Sequence, residues 1–175
     1  MKRRKGNVSE YVIVDGYNII GASPELQQLG KLQLEEARHQ LQEDLSEYGA
    51  YTERKVILVF DAHLTKEAGK QNRIRNIEVY FTKKGETADH HIEKLVTALI
   101  ADSAKVYVAT SDALEQHIVF GKGALRISAR ELLMEIKMIK DEISRDIAHK
   151  TTATPRLQGL LHPDVERIFE SWRRK

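Results

Sequence analysis

Three short runs, residues 11–14, 56–60 and 106–109, are apolar or aromatic at every position. A strand with one face in water alternates polar and apolar side chains; a strand lacking a polar face has to be covered on both sides. Buried runs of this kind belong to a mostly parallel sheet with helices packed above and below it. The segments between them supply those helices. Leu34, Ala37, Leu41, Leu45 and Tyr48 keep helical spacing over about 32–48, and Ile92, Val96, Leu99 and Ile100 do so over about 87–101. Residues 77–82 and 124–127 read as two further strands, with Gly121 and Gly123 marking the turn before the second. Ser128 and Glu131 have capping-box spacing and open a helix carrying Leu132, Ile136, Ile139, Ile143 and Ile147. Residues 62–76 are polar and basic, and read as a loop or short helix. The predicted class is α/β.

At 175 residues the chain fits one domain, spanning 11–150, with a basic extension over 1–10. Residues 151–155 have linker composition, and Pro163 suggests a last short helix through Trp172; the expectation for 151–175 is a linker and helix packed on the domain. Such a chain can bury roughly 70% of its unfolded surface and needs no staple. It has no cysteine, which removes disulfides, thiolate metal sites and thiol nucleophiles together and fits a reducing cytosol. No apolar run reaches the roughly 18 residues of a membrane span, and the opening MKRRKGNVSEY lacks the apolar core of a signal peptide.

Four aspartates stand where a buried strand stops or a helix starts: Asp15 in YVIVDGYN, Asp61 in KVILVFDA, Asp89 in GETADHH and Asp112 in VATSD. Open α/β sheets gather ligands at the carboxyl ends of their strands. Gly16 after Asp15 allows close approach of backbone, and Asn18 adds a neutral oxygen and an amide donor. On its helix Asp89 lies within about 20° of Val96, so it turns toward the apolar stripe. Glu86 and Glu93 border that stripe, as accessory ligands or ordinary ion-pair partners. Single aspartates after strands also make turns and caps, and Ser111–Asp112 reads equally well as an N-cap.

Taken together, converging carboxylates repel and call for a proton or a cation. With no thiolate available, hard oxygen ligands favour Mg2+ or Mn2+. The chemistry that fits is metal-assisted hydrolysis of a phosphodiester. In that scheme Asp15 and Asp89 hold the principal ion, Asp61 and Asp112 complete its shell or a second site, and Asn18 positions the phosphate or a ligand.

Net charge is only +2, yet basic residues cluster. Lys66, Lys70, Arg73, Arg75, Lys83 and Lys84 either neutralise RNA phosphates or form a plain solvated loop. None of the seven histidines has metal spacing; His63, two residues from Asp61, and His90 are the ones nearest the acidic positions. Gly121-Lys122-Gly123 is too short for a nucleotide loop.

In their order, VIVDGYNII, VILVFDA, GETADHHIE, VATSD and RISARELLMEI resemble the YacP-like NYN-domain proteins, a branch of the PIN-like nucleases, over about 11–167. The resemblance implies a PIN-like α/β/α sandwich and a cytoplasmic, metal-dependent endoribonuclease that cleaves messenger RNA in association with the ribosome. It places the acidic site on Asp15, Asp61, Asp89 and Asp112, with Asn18 in the naming motif, and none of these departs from the family's pattern. One alternative is a haloacid-dehalogenase-type phosphatase, which wants a second aspartate where Tyr17 stands. The other is a catalytically silent RNA- or ribosome-binding module, against which the complete set of acids speaks.

Overall fold

The computed structural model describes residues 9–152, with side chains as far as Ala148. Six strands, β1 (Glu10–Asp15), β2 (Lys55–Phe60), β3 (Gln71–Ile74), β4 (Ile77–Phe81), β5 (Lys105–Ala109) and β6 (Leu125–Ile127), form one sheet in the order β3-β4-β2-β1-β5-β6. Every pairing is parallel except β3 with β4. The helices are α1 (Gly16–Ala22), α2 (Pro24–Leu32), α3 (Leu34–Thr52), α4 (Ala88–Ala101), α5 (Ala113–Gly121) and α6 (Ala129–Thr152). No helix among the described residues is long and apolar enough to cross a membrane.

The all-apolar runs are the three central strands, as double coverage requires. Ile13, Ile57, Val59, Val106 and Val108 point to one face and pack with Ile92 and Val96 of α4 and Val119 of α5. The alternate residues Val12, Val14 and Leu58 are also fully buried, as are Leu41, Leu45 and Tyr48 of α3 and Leu132 of α6. The Tyr48 hydroxyl ties α3 to α6 through Glu135, at 3.0 Å. The result is the expected three-layer α/β/α sandwich.

Three features differ from expectation. Residues 16–32 hold two short helices, the second capped by Ser23, whose hydroxyl accepts from Leu26 N–H, with Pro24 at its first position. Residues 71–74 are a sixth strand rather than loop; this edge strand is polar because neither of its faces is covered. The last helix runs to Thr152, past the start of the expected linker. The capping box is as read: Ser128 N–H donates to Glu131 (2.7 Å) and Glu131 N–H to Ser128 Oγ (3.2 Å). The chain divides into two units, Met1–Lys140 and Asp141–Lys175, the second described only by the helical stretch 141–152. The basic extension over 1–8 and the expected helix at 163–172 lie outside the described residues.

Gly16 is needed for a steric reason. A Cβ there would stand 2.9 Å from Phe60 Cζ and closer still to Cδ1 and Cε1. That ring cannot retreat, being fully buried between Tyr17 (centroids 5.0 Å apart) and Phe81 (5.5 Å). Gly16→Ala is therefore expected to destabilise the fold by about 2–3 kcal/mol, read as a drop of roughly 5–10 °C in thermal midpoint. An unchanged midpoint would show that the packing at the end of β1 yields more easily than these contacts imply.

Candidate active site

From β1 the chain passes through α1–α3 to β2 on one side of the sheet; from β4 it passes through α4 to β5 on the other side. The crevice where the two connections part lies at the carboxyl ends of β1 and β5, the position where open α/β sheets bind ligands. Asp15 is the last residue of β1 and the N-cap of α1, accepting from Asn18 N–H at 3.3 Å. It is buried, 8% exposed. Asn18 then spans the crevice: its side-chain oxygen accepts from Ser111 N–H at 2.7 Å, tying the end of β1 to the loop after β5. That bond uses the carbonyl side of the amide and leaves its NH2 group for a ligand.

Asp89 sits in the first turn of α4, behind the Thr87 cap. It is exposed rather than interior, although Ala88, Ile92 and Val96 of the same helix are buried. Its carboxylate nonetheless converges on Asp15. One oxygen each of Asp15, Asp89 and Glu115 lies within 4.8 Å of the others.

Glu115, in the first turn of α5, is the residue that sequence reasoning missed. It is 2% exposed, and neither carboxylate oxygen makes a hydrogen bond of good geometry among the described residues, although the Thr110 hydroxyl is close enough to act on it. Its spacing from Asp112 disguises it as half of a capping box, yet Asp112 N–H bonds to the Thr110 hydroxyl instead. The usable signal was Val119, one helical turn on and fully buried, which puts Glu115 on a buried face.

Three carboxylates at this separation repel by about 3 kcal/mol per pair at an effective dielectric of about 20. Burial pushes the Glu115 carboxyl up to about 8, with the charges of Asp15, Asp89 and Asp112 adding to the shift and the Thr110 hydroxyl opposing it. Burial likewise raises Asp15 to about 6, against the Asn18 N–H and with the help of Asp89, Asp61 and Asp112. Asp89 is raised by partial burial and then by the charges of Asp112 and Asp61. At neutral pH this cluster keeps a proton or needs a cation.

Asp61 and Asp112 stand outside that group of three. Asp112 caps α5, accepting from Leu114 N–H (2.8 Å) and Glu115 N–H (3.2 Å), which fixes the turn that carries Glu115. Asp61 accepts from His63 N–H (3.1 Å) and, across the sheet, from Ala88 N–H (3.3 Å), which anchors the start of α4 beside Asp89. His63 Nδ1 is 2.6 Å from the same carboxylate. Burial alone would raise Asp61, but the hydrogen bonds from His63 and Ala88 outweigh it and hold the carboxyl below its usual range. Of the other flanking groups, Glu86 is an ion-pair partner, 2.8 Å from Lys94 and 3.4 Å from His91, and His90 is exposed.

The basic residues divide between the two ends of the sheet. Lys66, Lys70, Lys83 and Lys84 lie in the loops after β2 and β4, at the acidic end. Lys70 has a 3.7 Å ion pair with Glu67, while Lys83 and Lys84 are exposed beside a groove of about 560 Å3. Arg73 and Arg75 belong to the β3–β4 hairpin, whose turn precedes β4 and so lies at the opposite end; Arg75 pairs there with Glu43 at 2.7 Å.

The profile of the YacP-like NYN domain matches residues 12–174. The chain belongs to this family. YacP of Bacillus subtilis (strain 168) is 47% identical over 165 residues, covering 94% of this chain and 97% of that protein. The crystal structure of Rae1 (YacP) from Bacillus subtilis superposes with a TM-score of 0.74 at 47% identity over 94% of both chains. A tryptophan-to-leucine variant of that protein superposes with a TM-score of 0.73 at 45% identity, over 83% of this chain and 86% of the other. The YacP-like NYN domain is PIN-like, so the chain carries a nuclease-type fold with an acidic cluster at the carboxyl ends of its strands.

Proposed function

We propose that this protein is a metal-dependent endoribonuclease that hydrolyses phosphodiester bonds of single-stranded RNA. Messenger RNA associated with the ribosome is the substrate that the family resemblance implies. The observation carrying the reading is the convergence of Asp15, Asp89 and Glu115 oxygens within 4.8 Å, two of the three residues buried. An all-carboxylate donor set with two orphaned buried oxygens on Glu115 suits a hard divalent ion. Mg2+ or Mn2+ held there would polarise the phosphodiester and lower the pKa of an attacking water.

In this scheme Asp15, Asp89 and Glu115 hold the ion. The Asn18 NH2 group meets the phosphate. Asp112 and Asp61 act through the helix starts they anchor, and their negative charge strengthens the pull on a cation. Lys66, Lys70, Lys83 and Lys84 offset the repulsion between RNA and the acidic crevice. Arg73 and Arg75 have no part in that track, given the end of the sheet they occupy. The phosphatase alternative lacks support at position 17, where the Tyr17 ring packs on Phe60 and no second aspartate stands.

The test is cleavage of a single-stranded RNA with Mn2+, with and without chelator, beside a calorimetric Mn2+ titration of the same protein. Chelation is expected to abolish cleavage and excess Mn2+ or Mg2+ to restore it. Cleavage indifferent to chelator would defeat the metal mechanism. Mn2+ and RNA binding without cleavage on naked RNA or on ribosome complexes would favour the silent module.

A further inference from the structure

A groove of about 600 Å3 opens between the start of α3 and the turn after β2, lined by Arg38, Glu35, His63, Thr65 and Lys66 among others. Arg38 is unusual for a helical arginine, its side chain being only 8% exposed. Nη1 donates to the Tyr17 hydroxyl at 3.1 Å, and Nη2 lies 3.7 Å from Glu35, too far for a hydrogen bond. A guanidinium carries five N–H donors in a planar fork, so these partners, the ones found among the described residues, leave most of its capacity unused. Glu35 is itself 89% exposed and, among the described residues, restrained only by that loose contact.

The groove connects with the acidic crevice through two residues. Tyr17 packs on Phe60, the residue before Asp61, and offers its own O–H as a donor while accepting from Arg38. His63 lines the groove and bonds Asp61 through Nδ1. A buried fork held from behind by the Tyr17 hydroxyl, together with the Lys66 ammonium, favours an anion with several oxygens, against the opposing carboxylates of Glu35 and Glu36 on the same lining. A phosphate matches the fork in charge and geometry.

We propose that this groove grips a backbone phosphate of the single-stranded RNA, next along the strand from the scissile one. In it Arg38 serves as a substrate-positioning residue, supported by the Tyr17 hydroxyl and Lys66. The proposal rests on the nuclease reading for the identity of the strand. On binding, the phosphate displaces Glu35, whose carboxylate competes weakly for the same guanidinium.

The test uses the full chain and a 5′-phosphorylated RNA trinucleotide in chelator, so that nothing is cleaved. Arginine Nε–H NMR signals are followed, with that of Arg38 assigned by its loss in Arg38→Lys. The Arg38 signal is expected to shift saturably. Arg38→Lys should weaken binding about tenfold with the salt slope kept, Arg38→Gln should lower that slope by about one, and Glu35→Gln should tighten binding roughly twofold to threefold. An unmoved Arg38 signal, equal binding by Arg38→Lys, or no binding overturns the proposal, and the signal is read on the unmodified protein, so a poorly folded variant cannot obscure the result. Cleavage by the unmodified protein with Mn2+ is measured in parallel. No cleavage of naked RNA or of ribosome complexes, with an intact Arg38 response, refutes the nuclease reading alone; cleavage without that response refutes the phosphate site alone.

Discussion

Asp89→Asn is expected to lower cleavage of single-stranded RNA by about a thousandfold or more, with the fold intact. The size follows from removing the negative charge of one of three carboxylates whose oxygens meet within 4.8 Å, since under the proposed mechanism charge stabilisation supplies most of the rate. The fold survives because Asp89 is exposed in the first turn of α4, where Thr87 already supplies the cap. Its charge is in fact unfavourable in the metal-free protein: burial, then the charges of Asp112 and Asp61, raise its carboxyl above the usual range. Asparagine has the same shape and no charge, so the thermal midpoint should hold or rise slightly. Cleavage of RNA with Mn2+ and a melting curve on the same preparation check both halves. An Asp89→Asn protein cleaving at the normal rate would remove the residue from the mechanism.

Much of this site was legible because the information was local. A run such as 56–60 has no polar face to expose, so its sequence dictates a doubly covered strand and a ligand-binding end. Asp15 and Asp61 could be placed at that end directly, since each follows its strand without a gap. Asp89 was reached by helical phase, which gave the right face and the wrong depth: phase fixes direction around the axis and says nothing of where the neighbouring layer stops. Glu115 was hidden by a rule that was locally sound. A glutamate three residues after a cap usually returns to that cap's N–H, and only tertiary burial decides that this one does not.

The basic residues divide between the two ends of the sheet for a different reason. Lys70, Arg73 and Arg75 are close in sequence, yet the β3–β4 hairpin carries the chain the length of a strand away from the acidic end before it turns back. Nothing in the polar stretch 71–74 announces an edge strand, since it buries neither face. Short helices α1 and α2 were missed beside Gly21, Pro24 and Gly30, although Ser23-Pro24 is a good helix start. What remained invisible, then, was long-range: which helix covers a carboxylate, and which way a hairpin runs.

Glu115→Gln is expected to abolish cleavage as completely as Asp89→Asn, yet to make the metal-free protein more stable at pH 8. The sign follows from proton linkage. The Glu115 carboxyl is raised from 4.5 to about 8 in the fold, so the folded state binds protons more tightly than the unfolded chain. The stabilisation this gives is complete below about pH 4.5 and is lost as pH rises through 8. Asp15, raised from 3.8 to about 6, adds a smaller loss over a lower window. Metal-free protein should therefore weaken steadily between pH 5 and 8, and Mn2+ should reverse the loss by replacing the bound proton with a cation. Glutamine copies the protonated acid in shape and charge, so it should match the unmodified protein at pH 5 and exceed it at pH 8. The gain at pH 8 should be about 2–4 kcal/mol once solvent screening is allowed for. Denaturant unfolding at the two pH values in chelator measures it. A variant no more stable than the parent at pH 8 would mean that Glu115 is already neutralised by a partner within the fold, and would undercut the argument that its orphaned oxygens await a cation.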